Sequence, residues 1–169
     1  MKYLYFSGFC LENESEIFDK YIIQNELTAS AFSYGCQQLV QSVLNSTKRL
    51  DTIQLFSPSF FNDKDDKYKR MQLIYFQKDS NNYCSEFLKN CGFSKDSINK
   101  YFKMGKVDEL KDLLYYHWDE EKLQTIVDMG IKIEIYLGDK DKIVNTSQSI
   151  NFFKQYGEVY LIKGAGHIL

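Results

Sequence analysis

The stretch Thr28-Ala29-Ser30-Ala31-Phe32-Ser33-Tyr34-Gly35-Cys36 constrains the fold more than any other part of the chain. Small and apolar residues run into Ser33. A helical pattern then begins at once, with Leu39, Val40, Val43 and Leu44 returning at spacings of three and four. A strand that turns directly into a helix around a serine needs small neighbours, and Ala31 and Gly35 supply them in an Ala-x-Ser-x-Gly pattern. Such a turn holds the hydroxyl clear of the backbone. The same serine is also a favoured helix N-cap, so on this stretch alone a capping role and a chemical role stand level.

The rest of the chain alternates strand and helix patterns around that turn. Lys2 to Phe6 reads as a strand ending at Ser7-Gly8-Phe9, and Asn13, Glu14 and Glu16 open a helix to about Ile23. Leu27 to Phe32 is the second strand, followed by a helix from Tyr34 to about Thr47. Asp51 to Ser57 is the third strand, ended by Pro58. From Phe60 to Trp118 the pattern is helical throughout, with apolar positions such as Leu73, Phe76, Leu88, Leu110 and Leu114, and with Gly92 and Gly105 as expected helix stops. These residues predict four short helices forming one insertion, residues 60–118, within a single domain of 169 residues. Asp119 to Met129 is a helix closed by Gly130. Ile131 to Leu137 is the fourth strand, Thr146 to Tyr156 a helix, and Glu158 to Ile162 the last strand. Strands alternating with helices predict an α/β fold of about five parallel strands.

Composition excludes several functions. Lys and Arg number 21 against 23 Asp and Glu, interspersed, for a net charge of −2, so no global field favours nucleic acid or a membrane surface. No apolar run reaches the ~20 residues of a membrane span. Met1 to Leu11 is apolar but lacks a small-residue cleavage site, which predicts a first strand rather than a signal peptide and a cytoplasmic protein. Four cysteines (10, 36, 84 and 91) form no C-x-x-C pair, and two histidines are too few for a zinc site. No metal or other cofactor is expected. The cysteines read as small buried side chains in a reducing compartment.

In a parallel α/β sheet, ligand chemistry sits at the carboxyl ends of the strands. Ser33, Asp141 and His167 each fall just past such an end, in that chain order. Gly164-Ala165-Gly166 places His167 on a flexible corner, and Gly8-Phe9 follows the first strand where a backbone donor to an oxyanion belongs. Asp139 competes with Asp141 as the acidic partner. His117, within Tyr115-Tyr116-His117-Trp118, is expected to pack where the insertion rejoins the core.

With these residues placed, the chain resembles the α/β-hydrolase superfamily over nearly its full length. More closely, it is similar to the short pimeloyl-acyl-carrier-protein methyl ester esterases of biotin synthesis. The closer match lies in Phe6-Ser7-Gly8-Phe9, Phe32-Ser33-Tyr34-Gly35, Arg70-Met71-Gln72-Leu73, Phe76-Gln77-Lys78-Asp79 and Gly138-Asp139-Lys140-Asp141. The resemblance implies removal of a methyl ester from the far end of a pimeloyl chain carried on acyl carrier protein. It also implies Ser33 as nucleophile, His167 as base and Asp141, from the Gly-x-x-Asp pattern, as the orienting acid, with Asp139 a turn residue. The oxyanion donors are then the backbone N–H groups of Phe9 and Tyr34. Because a catalytic imidazole must be neutral, activity is expected to fall below roughly pH 6 to 7. The insertion becomes a lid, with Met71, Leu73, Ile74 and Phe76 as candidate walls for a methylene chain. Lys64, Lys67, Lys69 and Arg70 form the candidate docking surface for an acidic carrier; interleaved Asp63, Asp65 and Asp66 make a solvated helix face the default, with docking favoured at Arg70 alone because Arg pairs bidentately with phosphate or carboxylate.

Two further expectations follow. An acyl thioesterase, a generic short-chain esterase and an inactive binding module share the same residues and remain alternatives. The segment between Ser7 and Phe32 has room for one helix only, which predicts a reduced sheet in sequential strand order. Right-handed crossovers would put every connecting helix on one face. The other face is then partly solvated, covered by a left-handed first crossover, or closed by a second copy in a homodimer.

Overall fold

The computed structural model describes residues 3–169, so Lys2 of the expected first strand lies outside the described residues. Five parallel strands form one sheet in the order β1-β2-β3-β4-β5: β1 Leu4–Phe6, β2 Thr28–Phe32, β3 Thr52–Phe56, β4 Lys132–Gly138 and β5 Glu158–Ile162. The register sets Phe6 beside Ala31, Phe32 beside Phe56, Phe56 beside Tyr136 and Gly138 beside Ile162. The carboxyl ends therefore share one rim. The helices are α1 Tyr34–Leu44, α2 Asp66–Lys78, α3 Ser80–Cys91, α4 Lys95–Tyr101, α5 Val107–Tyr115, α6 Glu120–Asp128 and α7 Thr146–Phe153. Side chains of Asp65, Asp79, Ser94, Asp119 and Asn145 cap five of them by accepting first-turn N–H groups, which explains where the polar sequence breaks into helix.

Alternation along the strands divides the apolar residues between two layers. Ala29, Ala31, Ile53, Leu55, Ile133 and Ile135 face α1, α6 and α7, meeting Leu39, Val40, Leu123, Ile126 and Phe153. Phe32, Phe56 and Tyr136 face the other way. There they meet the segment after β1, where Phe18 stacks on Phe56 at 4.8 Å and Tyr21 lies 5.3 Å from Tyr136. The first connection thus passes on the face opposite the three later ones. In a sheet of sequential order it therefore has the opposite hand, the rarer arrangement for parallel strands. The chain's own first crossover covers the back of the sheet at β2, β3 and β4, while Tyr160 of β5 stays exposed there.

The helix expected from Asn13 to Ile23 is only a 3-10 turn, Glu14–Phe18. Asn13 is left-handed at φ 61°, and Glu14 turns inward to accept the Gly8 N–H and the Tyr5 hydroxyl. Phe18 and Ile22 are then buried against the sheet, so this segment follows the sheet surface rather than a helical ladder. Gly92 ends α3 at φ 106°, as its sequence position predicts. Gly105 stops no helix. A Cβ there would lie 2.5 Å from the Phe9 ring and 2.9 Å from Cys10 Sγ, so Gly105 permits a close approach instead. His117 is exposed, and Trp118 does the packing expected of it, donating its indole N–H to the Ser59 carbonyl.

Candidate active site

Ser33 stands between β2 and α1 at φ 51°, ψ −114°, a conformation that ordinary side chains avoid and that stores about 1–3 kcal/mol. Its side chain caps nothing. Surrounding bonds hold the turn: Ser33 N–H donates to the Phe56 carbonyl at 2.9 Å, and Ser59 donates its N–H and its hydroxyl to the Ser33 carbonyl, each at 3.3 Å. Gly35 is required because a Cβ would collide with the carbonyl oxygens of Phe6 and Ser7 at the end of β1. The first turn of α1 is thereby pressed against the strand end that carries Ser7-Gly8-Phe9.

The structure brings Ser33, Asp141 and His167 together. His167 Nε2 lies 2.9 Å from Ser33 Oγ, and His167 Nδ1 lies 2.7 Å from Asp141 Oδ2. Asp141 Oδ1 accepts the N–H groups of Ile143 at 2.7 Å and Val144 at 3.1 Å. Burial alone would push the Asp141 carboxyl up, but the facing imidazole and those two amides outweigh it and hold the group below the usual carboxylate range. Asp139 takes the other role. It accepts the Gly164 N–H at 2.7 Å and so clasps the loop after β5 to the loop after β4. A Cβ at Gly138 would strike the carbonyls of Ala165 and Gly166, so the glycine lets these loops touch.

Phe9 and Tyr34 also meet at this rim. Both line a cavity of about 170 Å³ with Ser7, Gly8 and Gly105. Tyr34 is the first residue of α1, where N–H groups lack intrahelical acceptors. The Phe9 ring is buried against Phe76 and Phe87. Residues 10–12 are tied to the end of α4, with Glu12 N–H donating to Tyr101 at 2.8 Å and Lys103 N–H to Cys10 at 3.0 Å.

The remaining expected residues lie apart. Lys67, Arg70 and Ile74 are exposed and share one outward stripe of α2; Arg70 pairs with Asp66 at 2.9 Å. Lys69 lies over the Tyr115 ring at 5.4 Å. Met71 is half-buried, and neither it nor Ile74 lines the cavity of about 280 Å³ between α2, α3 and α5. Its wall is mixed, with Phe87, Leu110 and Ile143 beside Gln72, Glu86 and Lys142. A wider polar groove, about 660 Å³, runs along α1 and touches the rim only at Tyr34. Ser33 and His167 are 1% and 0% exposed.

Several supporting residues escaped the sequence reading. Ser57, left-handed at φ 43°, donates its hydroxyl to the His167 carbonyl at 2.6 Å. Gln37 accepts from Ser59 and donates to the Asp112 carbonyl, linking the elbow to α5. Ile168 N–H donates to Cys91, which ties the histidine loop to α3. The cluster Ser57-Pro58-Ser59 after a strand was the available signal, but nothing in it names its partners.

A sequential parallel sheet with a strained serine elbow, an acid after β4 and a histidine after β5 is the α/β-hydrolase fold. Solved structures of that fold superpose on this chain. Bromoperoxidase from Bacillus anthracis is similar at TM-score 0.65 and 18% identity, covering 90% of this chain and 64% of its own. BioG from Haemophilus influenzae is similar at TM-score 0.61 and 16% identity, covering 98% of this chain and 88% of its own. E-2-(acetamidomethylene)succinate hydrolase is similar at TM-score 0.62 and 11% identity, covering 98% and 84%. No family model and no curated protein matches the sequence.

Proposed function

We propose that the protein is a serine esterase that removes the methyl ester from the far end of a pimeloyl chain held on acyl carrier protein. The observation that carries the esterase reading is the continuous hydrogen-bonded line from Asp141 through His167 to Ser33. Ser33 Oγ bonds to the ester carbonyl carbon as His167 Nε2 takes its proton, and the carbonyl electrons move onto oxygen. The N–H groups of Phe9 and Tyr34 hold that oxyanion. Collapse breaks the bond to the methoxy oxygen, which leaves as methanol with the proton from His167. Water then attacks the acyl-enzyme, again giving a proton to His167, and the carboxylic acid departs as Ser33 Oγ recovers that proton, the acid then ionising in solvent. Asp141 keeps the Nδ1 proton facing itself and stabilises the imidazolium in both halves.

The substrate rests on different support: the motifs around Ser33 and in the insertion, and the near-complete mutual coverage with BioG, which this chain matches in size as well as in fold. The apolar side of the cavity between α2, α3 and α5, formed by Phe87, Leu110 and Ile143, is the candidate wall for a methylene chain. Because the serine is buried, residues 60–118 act as a lid that moves to admit it. The outward stripe Lys67, Arg70 and Ile74, with Lys69 beside it, is the face offered to an acidic carrier.

Labelling with a fluorophosphonate, abolished in Ser33→Ala, tests the nucleophile; an unlabelled native protein would indicate a binding module. Incubation with the carrier-bound methyl ester, followed by weighing the product, tests the substrate. Loss of methyl alone supports the proposal, and loss of the whole acyl chain indicates a thioesterase. Replacing Lys67, Lys69 and Arg70 should reduce the salt dependence of turnover with the carrier-bound ester and leave a free ester unaffected. An unchanged salt dependence rejects that docking face.

A further inference from the structure

Glu14 is 0% exposed, and none of the mechanism above uses it. It has no cationic partner among the described residues, and a fully buried carboxylate of that kind is costly unless it does something for its surroundings. Its Oε1 accepts the Gly8 N–H at 2.9 Å and the Tyr5 hydroxyl at 3.1 Å, while Oε2 is buried with no hydrogen-bond partner among the described residues. Burial and the facing Glu14 carboxylate both push the Tyr5 phenol well up, so Tyr5 stays a donor.

The position of Gly8 gives this arrangement its meaning. In a trans peptide the Gly8 N–H and the Ser7 carbonyl point in opposite directions. Glu14 draws the N–H away from the rim, and the Ser7 carbonyl lies against Gly35 at the start of α1. The Gly8 carbonyl in turn accepts from Leu11 at 3.3 Å, the Cys10 carbonyl from Lys103, and Glu12 donates to Tyr101. The Gly8 N–H is thus committed, whereas the N–H groups of Phe9 and Cys10 make no hydrogen bond among the described residues, and Phe9 lines a cavity with Tyr34.

We infer that Glu14 is a positioning residue: it anchors the Gly8 peptide from behind so that the next N–H, on Phe9, is aimed at the developing oxyanion. This rests on the esterase reading of the previous section and adds a residue that acts through the backbone rather than on the substrate. A carboxylate suits the task because a charged acceptor holds an N–H more firmly than a neutral one. Its orphan oxygen marks a side chain placed for that bond and not for its own solvation.

The test is steady-state kinetics on p-nitrophenyl butyrate for the native protein, Glu14→Ala and Glu14→Gln, with active sites counted by fluorophosphonate. Removing an oxyanion donor outright costs about 100- to 1000-fold in kcat. A misaimed donor in Glu14→Ala should therefore lose about 10- to 100-fold in kcat with KM within about threefold, and Glu14→Gln, which keeps an oxygen toward Gly8, should recover most of it. An undiminished kcat in Glu14→Ala, a loss confined to KM, or a Gln variant as slow as the Ala variant overturns the inference. If Glu14→Ala does not fold, the folded Gln variant decides: retained kcat supports the role and lost kcat refutes it. A native protein that neither turns over the ester nor takes the label refutes the esterase reading itself, a result distinct from any of these.

Discussion

Asp141→Asn separates a working triad from three residues that merely touch. Asp141 has no exposed side-chain surface and accepts three hydrogen bonds, two backbone N–H groups on Oδ1 and the imidazole on Oδ2. In the variant the backbone amides keep the carbonyl oxygen on their side, so the new NH2 group faces His167 Nδ1. The imidazole must then carry its proton on Nε2, where it cannot accept from Ser33 Oγ. The wrong tautomer in such a triad lowers kcat on the order of ten-thousand-fold, which at 1.36 kcal/mol per tenfold is about 5.4 kcal/mol of barrier. Initial rates on p-nitrophenyl acetate per folded molecule read this directly. A variant within tenfold of the native rate would refute the reasoning. Stability gives a second reading. The folded carboxyl is held below its unfolded value, so its contribution is present above about pH 3.9 and is lost as pH falls through the lower folded value. Thermal midpoints of the native protein should therefore drop more steeply below about pH 4 than those of the variant. Parallel curves would show that the carboxylate gains nothing from its site.

Gly35→Ala should destabilise the protein by about 2–4 kcal/mol in urea titration, because the added Cβ meets backbone oxygens that cannot move without shifting β1. Phe18→Ala should cost about 3–5 kcal/mol, since this side chain is wholly buried between the first crossover and Phe32 and Phe56; a near-neutral midpoint would mean the back face does not depend on that crossover. Gly105→Ala should slow ester turnover while preserving the far-ultraviolet spectrum, because the methyl group displaces the ring of Phe9, whose N–H is a proposed oxyanion donor. Normal kcat in that variant would show that the loop tolerates the shift.

Periodicity made the architecture legible. Four of the five strands and the later helices emerge near their expected limits because each is long enough to show its spacing, and most are bounded by a turn or capping residue such as Pro58, Asp119, Gly130 or Asn145. The 3-10 turn Glu14–Phe18 did not, because its residues obey contacts with strands far along the chain rather than with each other. Gly105 and His117 misled for a related reason. A glycine needed for close approach looks like one needed for a stop, and an exposed histidine beside a buried tryptophan shares its apolar neighbourhood in sequence only. Among the candidate site residues, Ser33, Asp141 and His167 were readable because each follows a strand end, whereas Met71 and Ile74 were placed by a helical stripe that does not say which side faces a cavity.

By itself the amino-acid order determined the local grammar: which segments extend, which coil, and that a hydroxyl, a carboxyl and an imidazole each follow a strand. Those are short-range properties of backbone sterics and side-chain periodicity. Only the tertiary structure decided that the first crossover passes behind the sheet, that Asp141 rather than Asp139 faces the imidazole, and that Glu14 lies buried against the Gly8 peptide. Each of these depends on how strands distant in sequence are brought into register, and a hydrogen bond between residues that far apart leaves no periodic trace in the chain.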